Sequence, residues 1–221
     1  MGKRESTRER LLDVAQAGVL AKGFGATSIE EIIAEAEITK SGFFYHFKDK
    51  NELAKALIQR HIETDDALLD DLFARARELN DDPLHSFLIG LKLLAEMLDV
   101  MEMVYPGCLV ATFAYQERLF DEEVRALNRE AVLGWRRRFR KIFEEIAAVY
   151  PPREPVDLDA LADYVNTVVE GGIMMSRALN DPKVLVQQVM LLRSHVRMLF
   201  AAEARAVAPR SAPVTLQVVS G

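Results

Sequence analysis

A single cysteine, Cys108, stands among 221 residues, so no disulfide can form within the chain, and a reducing compartment, the cytoplasm, fits. The same scarcity excludes a cysteine-rich zinc site. No stretch of about 18 or more uninterrupted apolar residues occurs, so no membrane span is expected. The opening text MGKREST carries charges and no apolar core, so it does not read as a secretory signal. Positive charge is in deficit: 28 Lys and Arg stand against 34 Asp and Glu, for a net charge of −6. That balance argues against nucleic-acid binding by bulk charge. G-x-S-x-G, P-loop and Cys-x-x-Cys texts are missing. His46, His61, His85 and His195 follow Phe43, Ile58, Asp82 and Leu192 at three residues, so the paired Glu-x-x-His of a di-metal helical bundle is missing too. The chain is therefore not expected to be an enzyme, and no metal or cofactor is expected.

What is present is helix. Apolar residues recur at three and four, and period-two alternation is nearly absent, which makes the fold class all-α. Ser6 with Glu9, Ser28 with Glu31 and Asp49 with Glu52 have the spacing of helix-opening capping boxes. They open helices over residues 6–22, a two-turn helix after Ser28, and a long helix toward Leu79. Between the last two, Ala36-Glu37-Ile38-Thr39 is a turn, and Thr39 caps a short helix from Lys40 to Tyr45 or His46. Further helices are expected over residues 83–102, 108–119, 121–149, 157–179 and 182–204, punctuated by Pro83, Pro106-Gly107 and Pro151-Pro152. The last residues hold two prolines and no helical period, so 206–221 is expected to be loosely ordered.

Charge is unevenly placed. Residues 1–60 hold 10 Lys and Arg against 9 Asp and Glu, so any DNA binding must come from a local patch in that part. Two short helices joined by a four-residue turn have the proportions of a helix-turn-helix, whose second helix enters the major groove. The text TKSGFFYHFKDK, residues 39–50, suits that task. Lys40, Lys48 and Lys50 are cations, and Thr39, Ser41, Tyr45 and His46 are hydrogen-bonding groups. Gly42 permits close backbone approach, and Phe43 and Phe47 can anchor the helix to the core.

The stretch GFGATSIEEIIAEAEITKSGFFYHFKDKNELAKALI, Gly23 to Ile58, resembles the DNA-binding domain of the TetR family of regulators. The ordered set carries the likeness: glycine-aromatic turn, Thr-Ser cap, Ile-x-x-Ile, turn, short helix, His-Phe, then a lysine opening the fourth helix. The resemblance implies a repressor that binds a double-stranded DNA operator as a homodimer and is released by a small-molecule effector or electrophile. It implies base-edge contacts by Lys40, Ser41 and Phe44. Phosphate-contacting positions fall on Thr27, Ser28, Tyr45, His46 and Lys50, with Arg4 and Arg8 as further candidates. Glu37 departs from the pattern where the family has Gly. If the position needs a positive φ, Glu costs about 1 kcal/mol there. Phe44 departs where relatives carry Tyr.

The chain then divides into a helix-turn-helix domain, residues 1–50, a helical ligand-binding and dimerisation domain, residues 51–205, and the tail, residues 206–221. The last two helices, with apolar stripes around Gly171-Gly172 and from Val186 to Phe200, are the expected dimer interface. Candidate effector contacts are Met101, Tyr105, Cys108, Phe113, Trp135, Phe139 and Met174, with Met97, Met103 and Tyr115 as further candidates; any single one of the methionines and aromatics reads more readily as ordinary core. The text PGCLVATFAYQE, residues 106–117, resembles a subset of the family whose sensor helix opens with Gly-Cys-Leu. Some members of that subset respond to electrophiles or small unsaturated acids. Cys108 is then either a thiol activated by a helix N-terminus or a small buried hydrophobe. Arg138 either meets an acidic ligand or pairs with a carboxylate.

Overall fold

The structure, a computed structural model, describes residues 7–101 and 103–200. Among these are nine α-helices and no strand: α1 Thr7–Lys22, α2 Ile29–Glu35, α3 Lys40–His46, α4 Lys50–Leu79, α5 Pro83–Val100, α6 Leu109–Tyr115, α7 Glu122–Val149, α8 Leu158–Leu179 and α9 Lys183–Phe200. The expected Ser6 cap, Arg4, residues 201–204 and the 206–221 tail lie outside the described residues.

Polar residues at the starts set the register. Ser28 and Glu31 form the full capping box at α2. Asp49, Asp82, Asp121 and Asp157 each accept a backbone N–H in the first turn of α4, α5, α7 and α8, and Pro83 supplies a first position that needs no hydrogen bond. At α4 the box is altered: Asp49 caps Glu52 N–H at 2.9 Å, but the Glu52 carboxylate reaches back to Lys48 N–H at 2.5 Å. The expected helix over 108–119 is broken. It ends at Tyr115, and a 3-10 turn, Glu117–Leu119, follows. The break has a cause at Gln116, whose side-chain oxygen accepts from Gly25 N–H at 3.1 Å and ties the end of α6 to the turn after α1.

Two large apolar cores result, with a small third cluster of Cys108, Val110 and Ala131. In the first, Leu11, Leu12, Ala15 and Val19 of α1 meet Ile32, Phe43 and Phe47, and also Leu53, Leu57 and Ile58 of α4, Phe113 of α6 and Phe120. The second core joins α5, α7, α8 and α9 to the far end of α4. Phe87 stacks on Phe73 at 5.7 Å and meets Phe143 edge-on at 5.2 Å. The cores meet along α4, so the first turns of that helix pack with the three-helix head. Within α8, Gly172 lets α9 approach closely, since a Cβ there would sit 2.8 Å from Leu185 Cδ1, while Gly171 faces open space.

Candidate nucleic-acid interface and effector cavity

α3 is a seven-residue helix held by its two inner phenylalanines. Phe43 and Phe47 are fully buried, while Phe44 is 45% and Tyr45 85% exposed. Apolar anchors on one side fix the helix, and the exposed side carries Lys40, Ser41, Phe44 and Tyr45. Thr39 caps the helix by accepting from Gly42 N–H at 3.1 Å, and its hydroxyl meets that of Ser41 at 3.0 Å. The His46 ring packs edge-on against Tyr45 at 5.0 Å. Lys40 is exposed and pairs loosely with Glu30 of α2 at 3.5 Å.

The turn before α3 carries the cost anticipated for Glu37. Its φ is +52°. Ile38 N–H bonds Ile33 C=O at 3.0 Å and Glu37 N–H bonds Ala34 C=O at 3.2 Å, a Schellman ending of α2 that requires a left-handed residue at Glu37's position.

Two expected phosphate contacts have other engagements. Thr27 is 2% exposed and its hydroxyl donates to Gly23 C=O at 2.9 Å, so it braces the turn after α1 from inside. Lys50 turns its ammonium inward to Phe24 C=O at 2.6 Å and over the Phe24 ring. Burial holds its pKa below the usual lysine range. Ser28 stays partly exposed at the α2 N-terminus. Its partner Glu31 is held down to a pKa of about 2, first by a hydrogen bond from Lys22 and then by the Ser28 backbone. Arg8 lies 5.6 Å over the Phe47 ring.

Polar straps join the head to the helices behind it. Arg60 of α4 donates to Asp13 at 2.7 Å and to Gln16 at 2.8 Å on α1. Arg177 of α8 donates to the carbonyls of Leu20 and Pro106.

Between α4, α5, α7 and α8 lies a cavity of about 140 Å³. Tyr105, Cys108, Trp135 and Phe139 line it as expected, and Met97 joins them. Five candidates lie elsewhere, with Met103 and Tyr115 exposed on the surface. Phe113 belongs to the head core, stacked on Phe120 at 4.3 Å, while Met101 and Met174 are exposed on the surface. Most of the wall is apolar, with Leu69, Phe73, Leu94 and Ile173. A polar group that sequence reasoning missed is also there: His61, Asp65, Asn166 and Glu170. The signal was available, since His61 and Asp65 share a helical face at i,i+4, as do Asn166 and Glu170 within an apolar run.

Burial pushes the Asp65 and Glu170 carboxyls above the usual carboxylate range, and pushes the Tyr105 phenol to about 12 with help from Asp65, Cys108 and Glu170. The Cys108 thiol is also raised, first by burial and then by the neighbouring Glu170. Its sulfur caps α6 at Ala111 N–H. Of the two readings of Cys108, the surroundings fit the buried hydrophobe, because desolvation outweighs the helix N-terminus. His61 Nε2 and Asn166 Nδ2 are buried without hydrogen-bond partners; the imidazole lies 3.4 Å from Asp65 Oδ2 but is not aligned to bond it. Arg138 is not among the residues that line the cavity. It donates to Asp66 and Asp70, at 2.8 and 2.5 Å, and so straps α7 to α4.

Comparison with known proteins agrees with this arrangement. Residues 11–57 match the model of bacterial regulatory proteins of the tetR family, and residues 91–190 match the tetracyclin repressor-like C-terminal domain. An uncharacterized HTH-type transcriptional regulator from Lactococcus lactis is 25% identical over 86% of this chain and 92% of its own length. The uncharacterized HTH-type regulator YxaF of Bacillus subtilis is 26% identical over 82% of this chain and 90% of its own length. The crystal structure of regulatory protein TetR from Rhodobacter sphaeroides superposes with a TM-score of 0.70 at 24% identity, covering 86% of this chain and 99% of that one, and shares the fold. An exposed helix behind a tight turn, a helical body with an internal cavity, and both family models in the right order lead to one assignment: the chain belongs to the TetR family, DNA-binding helix-turn-helix transcriptional regulators that respond to small molecules and work as dimers.

Proposed function

We propose that this regulator reads its operator through the outer face of α3, as one half of a homodimer, and lets go when a small molecule fills the cavity. The observation that carries this reading is the division of α3 into a buried side, Phe43 and Phe47, and an exposed side with Phe44 and Tyr45. A helix held from behind can enter a groove without losing its anchor. Lys40, Ser41 and Phe44 read base edges, and Gly42 lets the backbone approach. Ser28, Tyr45 and His46 meet phosphates. Lys50 contributes to phosphate binding once DNA competes for its ammonium, while Thr27 supports the turn that presents Ser28.

The head comprises residues 1–50 in this reading and the sensor and dimerisation body residues 51–205, with the start of α4 packed into the head. The dimer forms through α8 and α9, supported by the exposed Met174, Met175, Leu191 and Met198. Gly107-Cys108-Leu109 groups the chain with the subset that opens its sensor helix in this way, and its place of work is the cytoplasm, where operator DNA lies. The raised Cys108 thiol favours a non-covalent effector over an electrophile.

One helix connects the two sites. α4 has 30 residues and is therefore about 45 Å long. Lys50 stands at its head end, and His61 and Asp65 stand at the cavity. An effector that prefers one tilt of α4 shifts the population toward it and moves α3 relative to its twin. The test is a gel shift with DNA from both sides of the protein's own gene. Salt-sensitive binding that is lost in Tyr45→Ala and Lys40→Ala is expected; binding unaltered by both substitutions refutes the reading.

A further inference from the structure

The cavity's charge is lopsided. Its lining holds two carboxylic acids, Asp65 and Glu170, and one imidazole, but no Lys or Arg among the described residues. The guanidiniums along the adjoining stretch of α7 are engaged elsewhere: Arg136 with Asp163, Arg137 with Glu130 and Arg138 with Asp66 and Asp70. Among the described residues, therefore, no ammonium or guanidinium neutralises Asp65 and Glu170 from inside the cavity: Asp65 has only the His61 imidazole at 3.4 Å, and Glu170 has the Cys108 thiol and the repulsion of Asp65.

We infer that the effector is a small amphiphilic cation, an amine whose ammonium sits between Asp65 and Glu170 while its apolar part packs against Phe73 and Phe139. This deepens the reading of the cavity as the effector site and rests on it. An ammonium offers donors only, and three acceptors face it: the two carboxyls and His61 Nε2, which makes no hydrogen bond within the protein. The Trp135 and Tyr105 rings line the same cavity and add the electron-rich faces that attract a cation. A carboxylate effector could accept from Asn166 Nδ2, but it would enter beside two acids with no basic partner, which a buried site penalises. A neutral alcohol would fill the space and leave the acids uncompensated. At about 140 Å³ the cavity is close in size to one that takes a single benzene ring, which suits a small amine with one ring.

The experiment is titration calorimetry on the full chain with three probes of one shape: phenethylamine, 2-phenylethanol and phenylacetate. The amine should bind at least roughly tenfold more tightly than the alcohol, and phenylacetate should bind more weakly than either. Glu170→Gln and Asp65→Asn should each lose about tenfold or more in amine affinity and keep the alcohol's. Because each substitution removes a buried acid, the ligand-free variants should melt no lower than the parent, which separates lost recognition from lost folding. Phenylacetate binding as tightly as the amine, no measurable binding of the amine, or amine affinity unaltered in both variants overturns the inference. Operator binding by the ligand-free protein is unaffected by any of these outcomes, and its failure would count against the regulator reading instead.

Discussion

The Lys50 ammonium donates to the Phe24 carbonyl at 2.6 Å and lies 4.4 Å from the centre of the Phe24 ring. This pair closes the head, since it ties the first turn of α4 to the glycine-aromatic turn after α1. The same side chain stands where the family resemblance places a phosphate contact. Lys50→Ala should therefore lower stability by about 1–2 kcal/mol through the lost hydrogen bond and cation–π contact. It should also reduce the salt slope of operator binding by up to about one. Chemical denaturation and a salt titration read the two effects separately. A variant with full stability would show that the inward bond contributes nothing.

Glu37 is the second local tension. A side chain at φ +52° in the C-terminal slot of α2 is disfavoured relative to glycine. Glu37→Gly should raise the stability of the ligand-free protein by up to about 1 kcal/mol, because relief of strain outweighs the added chain entropy. A drop in stability would mean that the Glu37 side chain makes a contact worth more than the strain.

Much of this was legible in the sequence, for local reasons. Caps at Ser28, Asp121 and Asp157, the proline at 83 and the turn before Thr39 are decided within four or five residues. Accordingly, seven of the helices, α2 to α8, each begin directly after a residue whose side chain accepts a first-turn N–H. The sensor site was harder, because it depends on how separate helices are rotated about their axes. Met174 and Ile173 are neighbours on α8, about 100° apart; Ile173 faces the cavity and Met174 the surface. Phe113 stands three residues after Val110 on α6, yet it packs on Phe24 and Phe120 in the head core. Each i,i+4 pair of the cavity's polar end is visible in the sequence, but the pairs lie on α4 and α8, about a hundred residues apart, and only packing shows that they meet. Gln116 shows the same limit, for no local signal reveals its hydrogen bond to Gly25.

Asp65 and Glu170 make the stability of the protein depend on pH in a definite direction. Burial raises both carboxyls above their ordinary values of 3.8 and 4.5, so the folded state holds these protons more tightly than the unfolded one. Their contribution is fully present below the ordinary carboxylate values and is lost as pH rises through the raised ones. His61 is present in parent and variant alike, and burial raises the Tyr105 phenol and the Cys108 thiol above their ordinary values, so neither of those two ionises between pH 4 and 8. The double variant Asp65→Asn, Glu170→Gln should therefore gain melting temperature over the parent as pH goes from 4 to 8. A gap that is constant or shrinks with pH would contradict the assignment of these two acids.

The outward residues of α8 and α9 bear on assembly. Met174, Met175, Leu191 and Met198 are exposed in the single chain, so a charge there costs little folding stability but disrupts an apolar interface. Leu191→Glu combined with Met198→Glu should weaken the dimer at least about tenfold, as read by sedimentation, with helical content retained. A dimer of parental strength would move the interface to another face.

The most direct measurement is footprinting of promoter DNA by the parent and by Tyr45→Ala at matched salt. Tyr45 is almost wholly exposed, so the substitution leaves the fold intact. The parent should protect two half-sites about 34–36 Å apart, centre to centre, and Tyr45→Ala should need at least about tenfold more protein to do the same. Equal protection by both proteins, or one isolated half-site at every concentration, would contradict a paired reading through α3.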